Sequence, residues 1–465
     1  MGVRTPVRTD SPAGHPVSPA APESPDGTVK GAMPKKSAAR PAFTEPRPLA
    51  EEGIRLRITR EIADDLAVDA LSRDRAGKPP FDEAARLREA GLPGLLTPPG
   101  PAQRGTDWRT ACAVIREIAA ADSSIGELLA RHYALSWSTR FFSTPEKADG
   151  LELRSVAAQW LWGGSTDIPD LEPTAGPDLT LTPAGGGYVL HGCKALAAGV
   201  QVADRLMLGA VCAESGESVI VCVDPAHPGV VADAEHDRLG QRLTGAGRLS
   251  FDGVPVPADQ VLGAVPHDEH ALSPFATLAP LALRLALVHV SLGTAEGALA
   301  EARDIDRAAS RSRPATGSDD GAYPEAYSQA YSDVYADRTG ADPYQLLAYG
   351  ELVTAAHTAA AVVESATEAL ARGLLAGQEL GVDERADIAV LVAAAEAVTG
   401  RSAMDITTRV LELTQGADSP DRALGFDRFW RNARLLTAQA SPTHALRDIG
   451  DHYLNGTHPA LTLRA

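Results

Sequence analysis

DLTLTPAGGGYVLHG, Asp178–Gly192, decides the fold. It reads as a strand, a Gly-rich turn and a second strand. Two neighbours repeat the theme. DRLMLGAVCAESGESVIVCVDP, Asp204–Pro225, gives two strands joined at Glu214-Ser215-Gly216-Glu217. GRLSFDGVPVPADQVLG, Gly247–Gly263, adds another strand. Together they predict a β domain of about 110 residues, an ordinary domain size.

Helical patterns flank this domain. FDEAARLREAGLPGL, Phe81–Leu95, has Asp82 as an expected N-cap and Gly91 and Pro93 as stop signals. DWRTACAVIREIAAADSSIGELLARHYALSW, Asp107–Trp137, carries apolar residues at helical spacing and breaks near Asp122-Ser123-Ser124. After the strands, LAPLALRLALVHVSLGTAEGALAEARDI, Leu278–Ile305, is apolar almost all round and should be buried. DERADIAVLVAAAEAVTG, Asp383–Gly400, starts at an acidic cap with Ile388, Leu391, Val392 and Ala395 on one face.

The domains expected are a disordered tail over 1–47, a helical domain over 48–153, a β-barrel domain over 154–264 and a helical bundle over 265–465. The tail is rich in Pro, Ser, Ala and Gly and has no hydrophobic periodicity. A flexible insertion over 314–341 contains AYPEAYSQAYSDVYAD, in which Tyr323, Tyr327, Tyr331 and Tyr335 recur every four residues.

Composition narrows the function. The 465 residues carry a formal net charge of −18. An acidic surface disfavours nucleic-acid and anionic-membrane binding. No apolar run approaches the roughly 20 residues that span a bilayer, and no signal peptide is evident. Cys112, Cys193, Cys212 and Cys222 form no metal-ligand spacing, so no metal site is expected. Scattered thiols fit a cytoplasmic location. Phosphate-binding loop, GxGxxG, HExxH and GxSxG motifs are all missing.

The α+β order of helices, strands and helices resembles the acyl-CoA dehydrogenase fold. GYVLHGCKALAAGVQVADRLML, Gly187–Leu208, resembles its flavin-facing β segment, and HDRLGQRLTGAGRLSFDGVPVPADQVLG, His236–Gly263, its second one. LLARHYAL, DPYQLLAYGEL, GFDRFWRNAR and IGDHYLNGTHP are similar to the dibenzothiophene monooxygenase-like branch. That resemblance implies a flavin-dependent monooxygenase acting on a small organic substrate in specialised metabolism. Reduced FMN comes from a separate flavin reductase, with FAD as the alternative. Oxygen adds at flavin C4a, and the peroxide passes one atom to the substrate. A homotetramer is also implied.

The same resemblance supplies the expected site. His132, His236 and Gln439 are the catalytic candidates. Ser165, Ala198, Arg313, Gly416 and Phe429 are the cofactor-binding candidates. His132 matches a cavity-lining His-Tyr pair. His236 stands in place of an aromatic and can replace a lost proton donor. Ala198 stands in place of a flavin-side Ser, and together with Ala440 implies room for a bulky substrate. Arg313 matches an Arg that pairs with the flavin phosphate or ribityl chain. The amide of Gln439 can both donate and accept toward flavin or substrate. Arg428, Arg431 and Arg434 are expected to be structural, pairing with Asp427 and Asp421.

Departures from the pattern are informative. An acyl-CoA dehydrogenase needs a carboxylate base, but its two usual positions fall on Ala440 and Leu283. The two histidines of the oxygenase branch fall on Leu436 and Gln439. Asp418 stands where a basic residue would meet the flavin phosphate. Three readings remain open: an oxygenase, an oxidase or dehydrogenase of the same fold, and a non-catalytic ligand-binding or subunit protein.

Overall fold

The computed structural model describes residues 49–96, 99–100, 103–104, 107–167, 179–266, 271–312, 343–415, 425–439 and 442–463. The N-terminal tail and the Tyr-repeat insertion expected from the sequence lie outside these residues, as do Arg313, Gly416, Asp418 and Ala440.

The chain opens with α1 (Leu49–Ala76) and α2 (Phe81–Glu89), followed by a two-residue ladder, β1 (Pro99–Gly100) with β2 (Gln103–Arg104). Pro80, rather than Asp82, is the N-cap of α2, and Asp82 lies in its first turn. There its charge still favours the helix dipole. Next come α3 (Trp108–Ala121), α4 (Ser123–Ser136), α5 (Ser138–Phe142) and α6 (Pro145–Ala157). The break between α3 and α4 has a chemical cause. Asp122 leaves helical geometry, and its carboxylate accepts from the backbone N–H groups of Ser124 and Ile125.

The sheet contains β3 (Trp162–Ser165), β4 (Leu179–Ala184), β5 (Gly187–Leu196), β6 (Arg205–Cys212), β7 (Ser218–Val223), β8 (Val230–Ala234), β9 (Gly247–Val256) and β10 (Val261–Val265). The β4–β5 hairpin turns on Gly185 and Gly186, with φ of 56° and 86°. Two successive positive φ values suit a two-residue primed turn, which matches strand twist. Strand order is β10-β7-β6-β4-β5-β9-β8, with β3 pairing to β6 in parallel. The end strands β8 and β10 do not pair with each other. Among the described residues these two edges are left unjoined, and the β domain stands between the helical parts in the expected order. Gly247–Gly263 forms two strands rather than one. β8 was not foreseen, because its exposed VVADA carries little alternation.

The C-terminal part contains α7 (Leu278–Ser312), α8 (Pro343–Ala376), α9 (Val382–Gln415), α10 (Asp427–Gln439) and α11 (Pro442–Asn455). Among the described residues α7 and α8 are, by length and composition, apolar enough to cross a membrane, contrary to the reading of shorter runs. α7 instead forms the core. Its Leu278, Leu285, Val290 and Leu292 are buried with Ile115 and Ile118 of α3 and with Ile388 and Val392 of α9. Gly293 and Gly297 make this crossing close: a Cβ on Gly297 would lie 2.0 Å from the Ala120 carbonyl oxygen. α8 buries Val363, Leu370 and Leu374 in the same core, while Leu346, Leu347 and Leu375 face outward from it.

Candidate active site

GFDRFWRNAR enters α10, and its charges fix that helix from three sides. Arg431 Nε donates to Asp427 at 2.9 Å, one Nη to Asp74 at 2.6 Å and the other to the Leu239 carbonyl at 2.9 Å. Arg428 forms an ion pair with Glu301 of α7, donates to the Gly425 carbonyl at 2.6 Å and lies over the Phe429 ring at 4.2 Å. The expected pairing of Arg431 with Asp427 is present. Arg428 takes Glu301 as its acidic partner, and Asp421 lies outside the described residues. Phe429 is buried among Phe426, Ala433, Ile406 and Val410. It packs in the core there, and the structure places this expected cofactor residue off the cavity described below.

The next link runs through the loop before β9. Asn432 Oδ1 accepts from the Gln241 N–H at 2.7 Å, and the Gln241 amide donates to Ser123 Oγ at 2.8 Å. Ser123 in turn meets Thr294 Oγ1 of α7 at 2.7 Å. Gly240 allows this approach, since a Cβ there would lie 2.4 Å from the Arg431 carbonyl oxygen. A loop of the sheet, two helices and α10 thus share one buried polar chain.

On its other side α10 faces a cavity of about 750 Å³. That volume is within the roughly 300–1,000 Å³ typical of cofactor and small-molecule sites. Its walls are α7, α9, α10 and α11, with Arg131 of α4 and Asp167 just after β3. Leu283 and Leu436 both line it. These are positions where dehydrogenases and oxygenases of the resembling families keep ionisable groups, and the structure brings them into one space. Its ionisable lining includes Arg284 paired with Glu396 at 2.5 Å, Asp448, Arg385, Arg401, Arg434 and His444. His444 is the one histidine on the wall among the described residues.

The predicted histidines lie elsewhere. His132 is fully buried and does not line the cavity. Its Nδ1 accepts from the Trp162 N–H at 2.9 Å, and Nε2 lies 2.9 Å from the Pro93 carbonyl, to which it donates. Burial pushes its pKa down to about 4. Both ring nitrogens are therefore occupied in a neutral tautomer that joins α4 to β3. The structure thus places this expected catalytic residue off the cavity wall. His236 is exposed beyond β8 and also lies off this wall. Ala198 is buried with Ala84, Leu128, Leu161 and Val202, so it opens no extra substrate space. Ser165 ends β3, where its hydroxyl donates to Asp167 Oδ2 at 3.0 Å and accepts from the Asp167 N–H at 3.1 Å. It sets the turn that presents Asp167 to the cavity. Gln439 ends α10, two residues beyond the wall residue Thr437, and its side chain lies outside the described residues.

Sequence reasoning missed Arg284, Glu396, Arg385 and His444. Arg385 had the one visible signal: a cation in the first turn of a helix, where the dipole favours acids.

No protein-family model matches the chain. A probable FMNH2-dependent monooxygenase of Pseudomonas putida is 30% identical over 422 residues, covering 90% of this chain and 98% of the relative. Dibenzothiophene monooxygenase of Rhodococcus qingshengii is 30% identical over 86% of this chain and 93% of the relative. Among solved structures, methanesulfinate monooxygenase of Pseudomonas fluorescens superposes with a TM-score of 0.75 at 29% identity, covering 88% of this chain and 99% of that one. An FMN-bound TdsC structure from Paenibacillus sp. A11-2 gives 0.76 at 28% identity, over 89% and 100%. Butyryl-CoA dehydrogenase of Megasphaera elsdenii shares the fold at 19% identity and a TM-score of 0.67. With its helices, sheet and helical bundle in this order, the chain belongs to the two-component FMNH2-dependent monooxygenases of acyl-CoA dehydrogenase fold.

Proposed function

We propose that the cavity between α7, α9, α10 and α11 is where one atom of molecular oxygen is transferred to a sulfur-containing small molecule. The observation that carries this reading is the cavity's wall. Leu283 and Leu436 leave two positions unable to accept a proton; of the lining carboxylates, Glu396 is held by Arg284, Asp167 accepts from the Ser165 hydroxyl, and Asp448 is exposed on α11. A dehydrogenase needs a free carboxylate base at the substrate. An oxygenase can draw its reactivity from reduced flavin and needs the protein to bind, orient and exclude water. The names of the relatives, which include dibenzothiophene and methanesulfinate monooxygenases, support sulfur as the oxidised centre.

Reduced FMN fits the donor set. Arg401 and Arg434 line the cavity and form no ion pair among the described residues, so they can meet the phosphate where Asp418 cannot. Leu287, Leu436 and Met404 offer apolar surface to its rings. When bound, the flavin supplies activated oxygen. The chain's own work is to exclude water with the leucines, orient the substrate with the arginines, and move a proton through His444. A separate flavin reductase supplies the reduced cofactor. A homotetramer is supported by the outward Leu346, Leu347 and Leu375 of α8. A cytoplasmic location is supported by the four free cysteines, three of them buried.

The test uses ¹⁸O₂, reduced FMN and a panel of thioethers, aromatic sulfur heterocycles and alkanesulfinates. One labelled oxygen atom should enter a panel member. Substrate oxidation without label, or hydrogen peroxide as the sole oxygen product across the panel, would contradict the reading.

A further inference from the structure

The cavity contains a buried cation that forms no ion pair among the described residues. Arg385 is 2% exposed and lines the wall from the first turn of α9. Its Nε donates to Thr277 Oγ1 at 2.9 Å, and Nη1 donates to the Pro459 carbonyl at 3.0 Å. Both acceptors are neutral. No acidic side chain among the described residues forms an ion pair with this guanidinium, and its Nη2 has no hydrogen-bond acceptor among them.

The contrast with Arg428 is direct. Arg428, also buried, is neutralised by Glu301. On the same wall as Arg385, Arg284 is neutralised by Glu396. Arg385 has only carbonyl and hydroxyl oxygens, and its helix's dipole opposes it. Burial pushes its pKa down to about 10, with the nearby Arg284 adding to the effect, so it still carries its charge near neutrality. An uncompensated buried charge costs several kcal/mol. An anion entering the cavity would offset that cost.

Resting on the reading of this cavity as the substrate site, we infer that Arg385 anchors the substrate through an anionic head group. The head is a small planar or tetrahedral oxyanion such as a carboxylate, sulfinate or sulfonate. These match the fork of guanidinium donors. The uncharged body of the substrate packs on Leu281, Leu283, Leu287 and Leu436. Arg401 and Arg434 add positive charge at the cavity in a chain whose net charge is −18. Such a local reversal of sign attracts anions that the rest of the surface repels.

The test is calorimetric, on the full chain without turnover. The probes are benzenesulfinate and benzoate, with uncharged indole as the control. Both anions should bind, and Arg385→Gln should weaken them by about 30-fold or more, the usual range for losing a buried charged hydrogen bond. Indole and reduced FMN should be affected less than about twofold, or about 0.4 kcal/mol, since neither is held by Arg385. Failure of the anions to bind, or unchanged anion affinity in Arg385→Gln, would overturn the inference. Equal losses for FMN and the anions would assign Arg385 to the cofactor phosphate and overturn it as well. Should the variant misfold, the unmutated chain decides: the Arg385 Nε resonance should move with benzenesulfinate and stay with indole. A resonance indifferent to the anion rejects the assignment. Because binding is read without oxygen, loss of the oxygenase reading and loss of this one give different results.

Discussion

The two sides of α10 use the same residue type in opposite ways. On the side facing α1, α7 and the sheet, Arg428 and Arg431 meet Glu301, Asp74 and Asp427. On the cavity side, Arg434 has no such partner among the described residues, and across the space neither have Arg385 and Arg401. Paired arginines hold the scaffold, and those without an acidic partner among the described residues are the ones proposed to meet a ligand. The signature GFDRFWRNAR contains both kinds, which is why its composition alone does not say which arginine does what.

The sharpest way to break this contrast is to remove a paired arginine. Arg431→Met leaves the buried Asp74 carboxylate without its partner, and should cost about 3–5 kcal/mol in denaturant unfolding. A loss below about 1 kcal/mol, the range of an exposed pair, would mean that α10 is held by other contacts. Next in size is His444→Ala. Removing a general acid typically costs 10²–10⁴-fold, so oxygen transfer should fall by about 100-fold with flavin affinity unchanged. Unaltered coupling of flavin oxidation to product would remove His444 from proton transfer.

The third expectation concerns pH. His132 and His289 are fully buried, and burial lowers their pKa values to about 4 and about 3. Both stay neutral in the native chain, while the unfolded chain protonates them below about 6.5. Their stabilisation is complete above that pH and is lost as pH falls toward 4. Unfolding free energy should drop by about 2 kcal/mol or more between pH 7 and pH 5, and His132→Gln should flatten that slope. An equally steep slope in the variant would show that other groups carry it. The smallest effect belongs to Arg434→Met. Its stability should change by less than about 0.5 kcal/mol, as for an exposed side chain, while flavin affinity falls. A large stability loss would place Arg434 with the scaffold.

Much of the fold was legible because its signals are local. Gly185-Gly186 fixes a hairpin, Asp122 ends one helix and caps the next, and the apolar surround of α7 marks a buried helix. The strand order was not legible, since pairing joins strands remote in sequence, as β4 with β6. The site divided in the same way. Leu283 and Leu436 were flagged from sequence and do line one cavity. The place of His132 off that wall was not legible, because Trp162 and Pro93, which meet its two ring nitrogens, are remote in sequence. Arg385 escaped notice because a missing partner is visible only once the surrounding side chains are placed.

The most direct test of the account is an anaerobic titration with reduced FMN, read by flavin absorbance, on the native chain and on Ala397→Trp. Ala397 lies on the cavity wall of α9, partly exposed, so an indole there occupies the space without disturbing the core. The account predicts saturable binding of one flavin per native chain and its loss in the filled variant, with unfolding unchanged. Equal binding by both proteins, or none by the native chain, would contradict it.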